Sequence, residues 1–139
     1  MDEHGWITIP ARIDQVQEAC GFIARVAVRH GMDDEGVYRC QLSVEEICTN
    51  IVEHGYGFEY HGGKIELWCF IHEKTFVIEI IDDAPLFDPL TLPEPDPSTP
   101  LWDRVEGGWG IHFVRKFMDR VEYFNTDNRN HLRLEKRFQ

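Results

Sequence analysis

The spacing of apolar residues changes along the chain, and each change marks an element. Trp6-Ile7-Thr8-Ile9 is β-prone and stops at Pro10, after which Ile13, Val16, Cys20, Ile23 and Ala27 recur at helical spacing. A strand followed by a helix is predicted. Gly31 ends that helix, and Asp33 or Asp34 can cap the next, whose stripe of Val37, Cys40, Val44, Ile47, Cys48 and Ile51 carries it to about His54. Beyond Gly55 the period shortens to two. Ile65, Leu67, Cys69 and Ile71 alternate with Glu66, Trp68, Phe70 and His72, and the alternation resumes at Phe76, Ile78 and Ile80 after Glu73-Lys74, which reads as a hairpin. Ile111, Val114, Phe117 and Met118 return to helical spacing. Val121 to Phe124 and the pair Leu132 and Leu134, joined across Thr126-Asp127-Asn128, give a second hairpin. This order predicts an α+β fold, a two-layer sandwich with three helices on one face of a mostly antiparallel sheet.

The region between the hairpins breaks the pattern. Six of the seven prolines (Pro85, Pro89, Pro93, Pro95, Pro97 and Pro100) fall within sixteen positions, where neither a helix nor a central strand is expected. A long irregular stretch inside a compact domain is either a lid over a site or a passive insert. The lid is the expectation, over about 83–109, ending at Gly107-Gly108-Trp109-Gly110, which opens the third helix.

Composition narrows the classes. A chain of 139 residues is expected to hold one domain over 1–139, and with 42% hydrophobic and 28% charged residues it has the balance of a globular protein. Its net charge of −11 repels phosphate backbones and anionic membrane surfaces, so neither nucleic acid nor membrane is expected as a partner. No run of about 18 apolar residues occurs, and the acidic start Met1-Asp2-Glu3-His4 is unlike a signal peptide, which predicts a cytoplasmic protein. Cys20, Cys40, Cys48 and Cys69 form no CxxC pair and sit among apolar residues, as core thiols do. With no HExxH and no Cys/His knuckle, a zinc site is not expected.

Three features carry candidate chemistry. Glu46 and Asn50 are spaced i, i+4 on the second helix and share a face, with Glu53 continuing the polar edge; a solvated helix face has the same pattern. Asp82, at a strand end before the proline-rich stretch, is placed to accept a hydrogen bond from a ligand amine or to serve as a turn residue. The glycines at 107, 108 and 110 let backbone N–H groups approach an anion at a helix N-terminus, though a glycine-rich helix entrance is also a common linker. Neither a P-loop nor a Rossmann fingerprint is present.

Taken in order, the ExxxN pair, Asp82, the long loop and GGWG resemble the GHKL, or Bergerat-fold, ATP-binding superfamily. The segment Leu42 to Tyr56 is similar to the N-box of small bacterial anti-sigma-factor serine kinases, and the segments Asp82 to Pro89 and Gly107 to Arg115 to their next two boxes. The resemblance covers nearly the whole chain. It implies ATP and Mg²⁺ as cofactors, with Asn50 as the metal ligand and Glu46 as the general base for a substrate serine hydroxyl. It further implies that Asp82 binds the adenine amino group and that Ala84, Gly107, Gly108, Trp109, Gly110 and Ile111 line the nucleotide. Where the family usually has glycine two residues after the aspartate, this chain has Ala84, and the stretch after it is rich in proline and acid.

The implied function is an anti-sigma-factor serine-protein kinase that phosphorylates an anti-anti-sigma antagonist and sequesters a sigma factor, working as a homodimer. Two other readings stay open at the sequence level: a non-catalytic nucleotide-gated binding module and a histidine-kinase-type catalytic domain.

Overall fold

The structure, a computed structural model, describes residues 5–57, 62–93, 98 and 108–138. Its centre is a five-stranded sheet in the order β1-β2-β3-β5-β4, formed by β1 (Gly5–Pro10), β2 (Lys64–His72), β3 (Thr75–Asp82), β4 (Arg120–Thr126) and β5 (Arg129–Arg137). Every pairing among the described residues is antiparallel. Helices α1 (Val16–Arg29), α2 (Asp34–Asn50) and α3 (Gly108–Phe117) supply the second layer.

One face of the sheet makes the core. Ile9, Leu67, Ile78, Ile80, Leu132 and Leu134 are buried against Cys20, Ile23 and Val26 of α1, Cys40, Val44 and Ile47 of α2, and Ile111 and Val114 of α3. These are the stripes the periodicity picks out, brought together because each half-apolar element must bury its face against another. Asp33 proves to be the N-cap of α2, its carboxylate accepting from the Gly36 N–H at 2.9 Å. The four cysteines are buried and free, and burial raises their thiols to about 11 for Cys20 and Cys69, about 12 for Cys40 and higher still for Cys48.

Among the described residues, the other face carries no helix. Trp6, 60% exposed, stacks on Trp68, 41% exposed, with ring centroids 5.7 Å apart, and Phe124 stacks on His131 at 4.8 Å. Charges there are paired: Arg133 bonds Glu79 at 2.7 Å and lies over the Phe70 ring. Val77 and Ile81 are nonetheless buried on this side, because β3 is the central strand and is flanked on both edges.

Both hairpin turns place their two central residues at positive φ, Glu73 and Lys74 in one and Asp127 and Asn128 in the other. The matching twist of such turns sets the registers Leu67↔Ile80 and Tyr123↔Leu132. Two features depart from the periodicity. The second helix does not stay α-helical to His54; α2 ends at Asn50 and continues as a π-helical segment, Ile51–Gly57, closed by Gly57 at φ +89. The start of the proline-rich stretch is also not wholly irregular. Asp88 accepts from the Leu90 N–H at 2.8 Å and caps a single 3-10 turn, Pro89–Thr91.

Candidate functional site

The π-helical segment, the end of β3, the loop after it and the start of α3 enclose a cavity of about 450 Å³. That is room for a small-molecule ligand of nucleoside size. Asn50 and Gly55 line it from the helical side, Asp82 and Asn130 from the sheet, Ala84 from the loop and Ile111 from α3.

At the sheet end, Asp82 is 5% exposed, and its Oδ1 accepts from the Ala84 N–H and from Asn130 Nδ2, both at 2.9 Å. Burial raises the Asp82 pKa, and these two hydrogen bonds hold it back. Tyr56 braces the same corner, its hydroxyl donating to the Lys64 carbonyl at 2.7 Å and accepting from the Asp83 N–H at 2.8 Å. Asp83 pairs outward with Arg129 at 2.7 Å. The Ala84 methyl is buried and faces the π-helical segment, where a Cβ on Gly55 would lie 3.2 Å from it. The methyl that the sequence adds is thus accommodated by a glycine packed beside it.

At the helical end, α3 begins on top of α2. A Cβ at Gly110 would lie 2.6 Å from Glu46 Oε2 and 3.3 Å from Asn50 Nδ2, so a larger residue there would push the Glu46 carboxylate from its place. Glu46 is half-buried, and desolvation raises its pKa, with the neighbouring carboxylates of Glu45 and Glu53 adding to the rise. It stands beside the cavity, while Asn50 is part of the wall.

The fold therefore brings Glu46, Asn50 and Gly110 together at one end, Asp82 and Ala84 at the other, and Ile111 against the wall. Gly108 opens α3; Gly107, the Trp109 side chain and, of the expected lid, residues 94–97 and 99–107 lie outside the described residues. Asn130, Tyr56 and Tyr123 are functional candidates that sequence reasoning missed. The available signal was Asn130, a buried amide in a strand otherwise alternating apolar and charged residues, which has meaning only once its neighbour across the sheet is known.

Fold and site together define the class, a GHKL-type ATPase domain. The chain belongs to the histidine kinase-like ATPase domain family, whose sequence profile matches residues 9–136. It is 30% identical over 120 residues to a serine-protein kinase RsbW of Halalkalibacterium halodurans, covering 84% of this chain and 72% of that protein. It is 29% identical over 121 residues to the serine-protein kinase RsbW of Oceanobacillus iheyensis, covering 84% and 76%. Among solved structures, the RsbU and RsbW domains of a Mycobacterium tuberculosis protein superpose with a TM-score of 0.69 at 15% identity. That match covers 97% of this chain and 32% of the other, about a third of its length, and bears on the fold alone.

Proposed function

We propose that this chain is an ATP- and Mg²⁺-dependent serine-protein kinase that also holds a sigma factor inactive and is relieved by an anti-anti-sigma antagonist, its substrate. The observation that carries the reading is the approach of Gly110 to Glu46 and Asn50 at one end of a cavity whose other end holds the buried acceptor Asp82. The relatives named serine-protein kinases support the choice of chemistry.

In this reading Asp82 accepts the adenine amino proton, and the backbone at Gly108 and Gly110 receives phosphate oxygens at the N-terminus of α3. The Asn50 side-chain oxygen suits Mg²⁺, which takes one or two protein oxygens and fills its remaining positions with phosphate and water. When bound, that cation supplies neutralisation of the triphosphate, which a chain of net charge −11 does not provide by itself. Glu46 takes the proton of the serine hydroxyl, and its raised pKa brings it closer to the range in which a general base works best. Among the described residues no helix is long and apolar enough to cross a membrane, and the reading places the protein in the cytoplasm with its partners.

The homodimer forms through the bare sheet face in this reading. There exposed tryptophans meet self-paired charges, so two acidic copies approach with least repulsion. Trp68→Glu is expected to give a monomer in sedimentation; an unchanged sedimentation coefficient places the contact elsewhere.

The deciding experiment follows γ-labelled ATP into the antagonist. Label stable on serine is expected. Label on histidine favours a histidine-kinase-type domain, and nucleotide binding without transfer favours a gated binding module.

A further inference from the structure

Asn130 lies directly opposite Asp82 in the pairing of β5 with β3, 8% exposed. Its amide is used in full. Oδ1 accepts the Phe87 N–H at 3.0 Å and the Tyr123 hydroxyl, while Nδ2 reaches Asp82 Oδ1 at 2.9 Å, the Ala84 carbonyl at 3.1 Å and the Pro85 carbonyl at 3.3 Å. The partners fix which way the amide points, since a backbone N–H can only donate and a carbonyl can only accept. With the Ala84 N–H also on Oδ1, that oxygen of Asp82 has two donors, and the hydrogen bonds of the described residues leave Oδ2 as its open acceptor.

We infer that Asn130 is the positioning residue of the adenine end: it orients the Asp82 carboxylate so that Oδ2 is presented to an exocyclic amine, and it anchors the first residues of the loop at Ala84, Pro85 and Phe87. This rests on the reading that Asp82 takes the adenine amino group. Only a side chain with both a donor and an acceptor on one planar group serves the carboxylate, the two carbonyls and the Phe87 N–H together. A serine reaches fewer of them, and an aspartate opposes Asp82 with a second carboxylate.

Binding of ATP and of purine riboside triphosphate, which lacks the 6-amino group, separates orientation from general damage. The wild type is expected to prefer ATP. Asn130→Ala should lose about tenfold in ATP affinity while its affinity for the analogue changes less than about twofold. Retained analogue binding also reports that the variant is folded; if the alanine variant does not fold, Asn130→Ser carries the same comparison. Asn130→Asp supplies a second readout. The ionisable groups around the new carboxyl are Asp82, Asp83, Arg129, Tyr56 and Tyr123. Two carboxyls this close share a proton, and the protonated one donates as the amide did. ATP affinity of Asn130→Asp should therefore rise as pH falls from about 8 to about 6, while that of the wild type stays flat. Equal losses for both ligands in Asn130→Ala, or no loss for either, overturn the inference while leaving Asp82 in place. A wild type that fails to prefer ATP overturns the reading of Asp82 itself, and the inference with it.

Discussion

The two ends of the cavity are built in opposite ways. At the sheet end, Asp82 and the loop from Ala84 to Phe87 are tied by hydrogen bonds to Asn130, and Tyr56 holds the Asp83 N–H. The groups that would meet a base are fixed before any ligand arrives. At the helical end, Glu46 and Asn50 meet α3 through the bare Cα of Gly110, and burial raises the Glu46 pKa, with the carboxylates of Glu45 and Glu53 adding to the rise. One end is tied by hydrogen bonds; the other holds a half-buried carboxylate with two more beside it. Preorganisation favours selectivity, and a half-buried carboxylate with a raised pKa favours a step in which a proton moves.

This contrast is open to attack at each end. The largest effect is expected from Glu46→Gln, which should lower serine phosphorylation by about 10² to 10⁴ while leaving ATP affinity nearly unchanged, since the amide keeps size and polarity but takes no proton. Glu45→Gln is the control, turned by about 100° around the helix from Glu46. An inactive Glu45→Gln beside an active Glu46→Gln, in single-turnover transfer assays, places the base on the wrong residue. Next in size, Asp82→Asn should weaken ATP binding by about 2 to 3 kcal/mol in calorimetry, because it presents a donor where the amine needs an acceptor and leaves buried polar groups mismatched. Affinity equal to wild type removes Asp82 from the adenine end.

The smallest effect concerns stability. A carboxyl whose pKa is raised on folding contributes stability below its unfolded pKa that is lost as pH rises through the folded value. Glu46 is such a group. Glu46→Gln should therefore melt a few degrees higher than wild type at about pH 8, and the gain should vanish toward about pH 3, where Glu46 is neutral in both states. A gain that persists in acid has another source.

Much of the fold is legible in the sequence because each helix and hairpin announces its face by period alone. Asp33, the two hairpin turns and the stripe of α2 follow from local rules. What was illegible is long-range or isomeric. Asn130 acquires its partner only when β5 inserts between β3 and β4, an order that no local pattern encodes. The widening from α to π at Ile51 is hidden for a different reason: the same side chains suit either geometry. Of the candidate site residues, Glu46, Asn50, Asp82, Gly108 and Gly110 are marked by spacing or by position at an element's end, whereas Tyr56, Asn130 and Tyr123 are joined to the site by hydrogen bonds across the fold.

The buried cysteines have a use in probe chemistry. Thiols raised to about 11 and above expose almost no thiolate at neutral pH, and their burial denies reagents access. A single cysteine introduced at an exposed position, Leu86 for example, would be the one site to take a maleimide dye or spin label. The native protein therefore serves as its own cysteine-light background, and distances from the loop to the rest of the fold are measurable without first removing any of its four thiols.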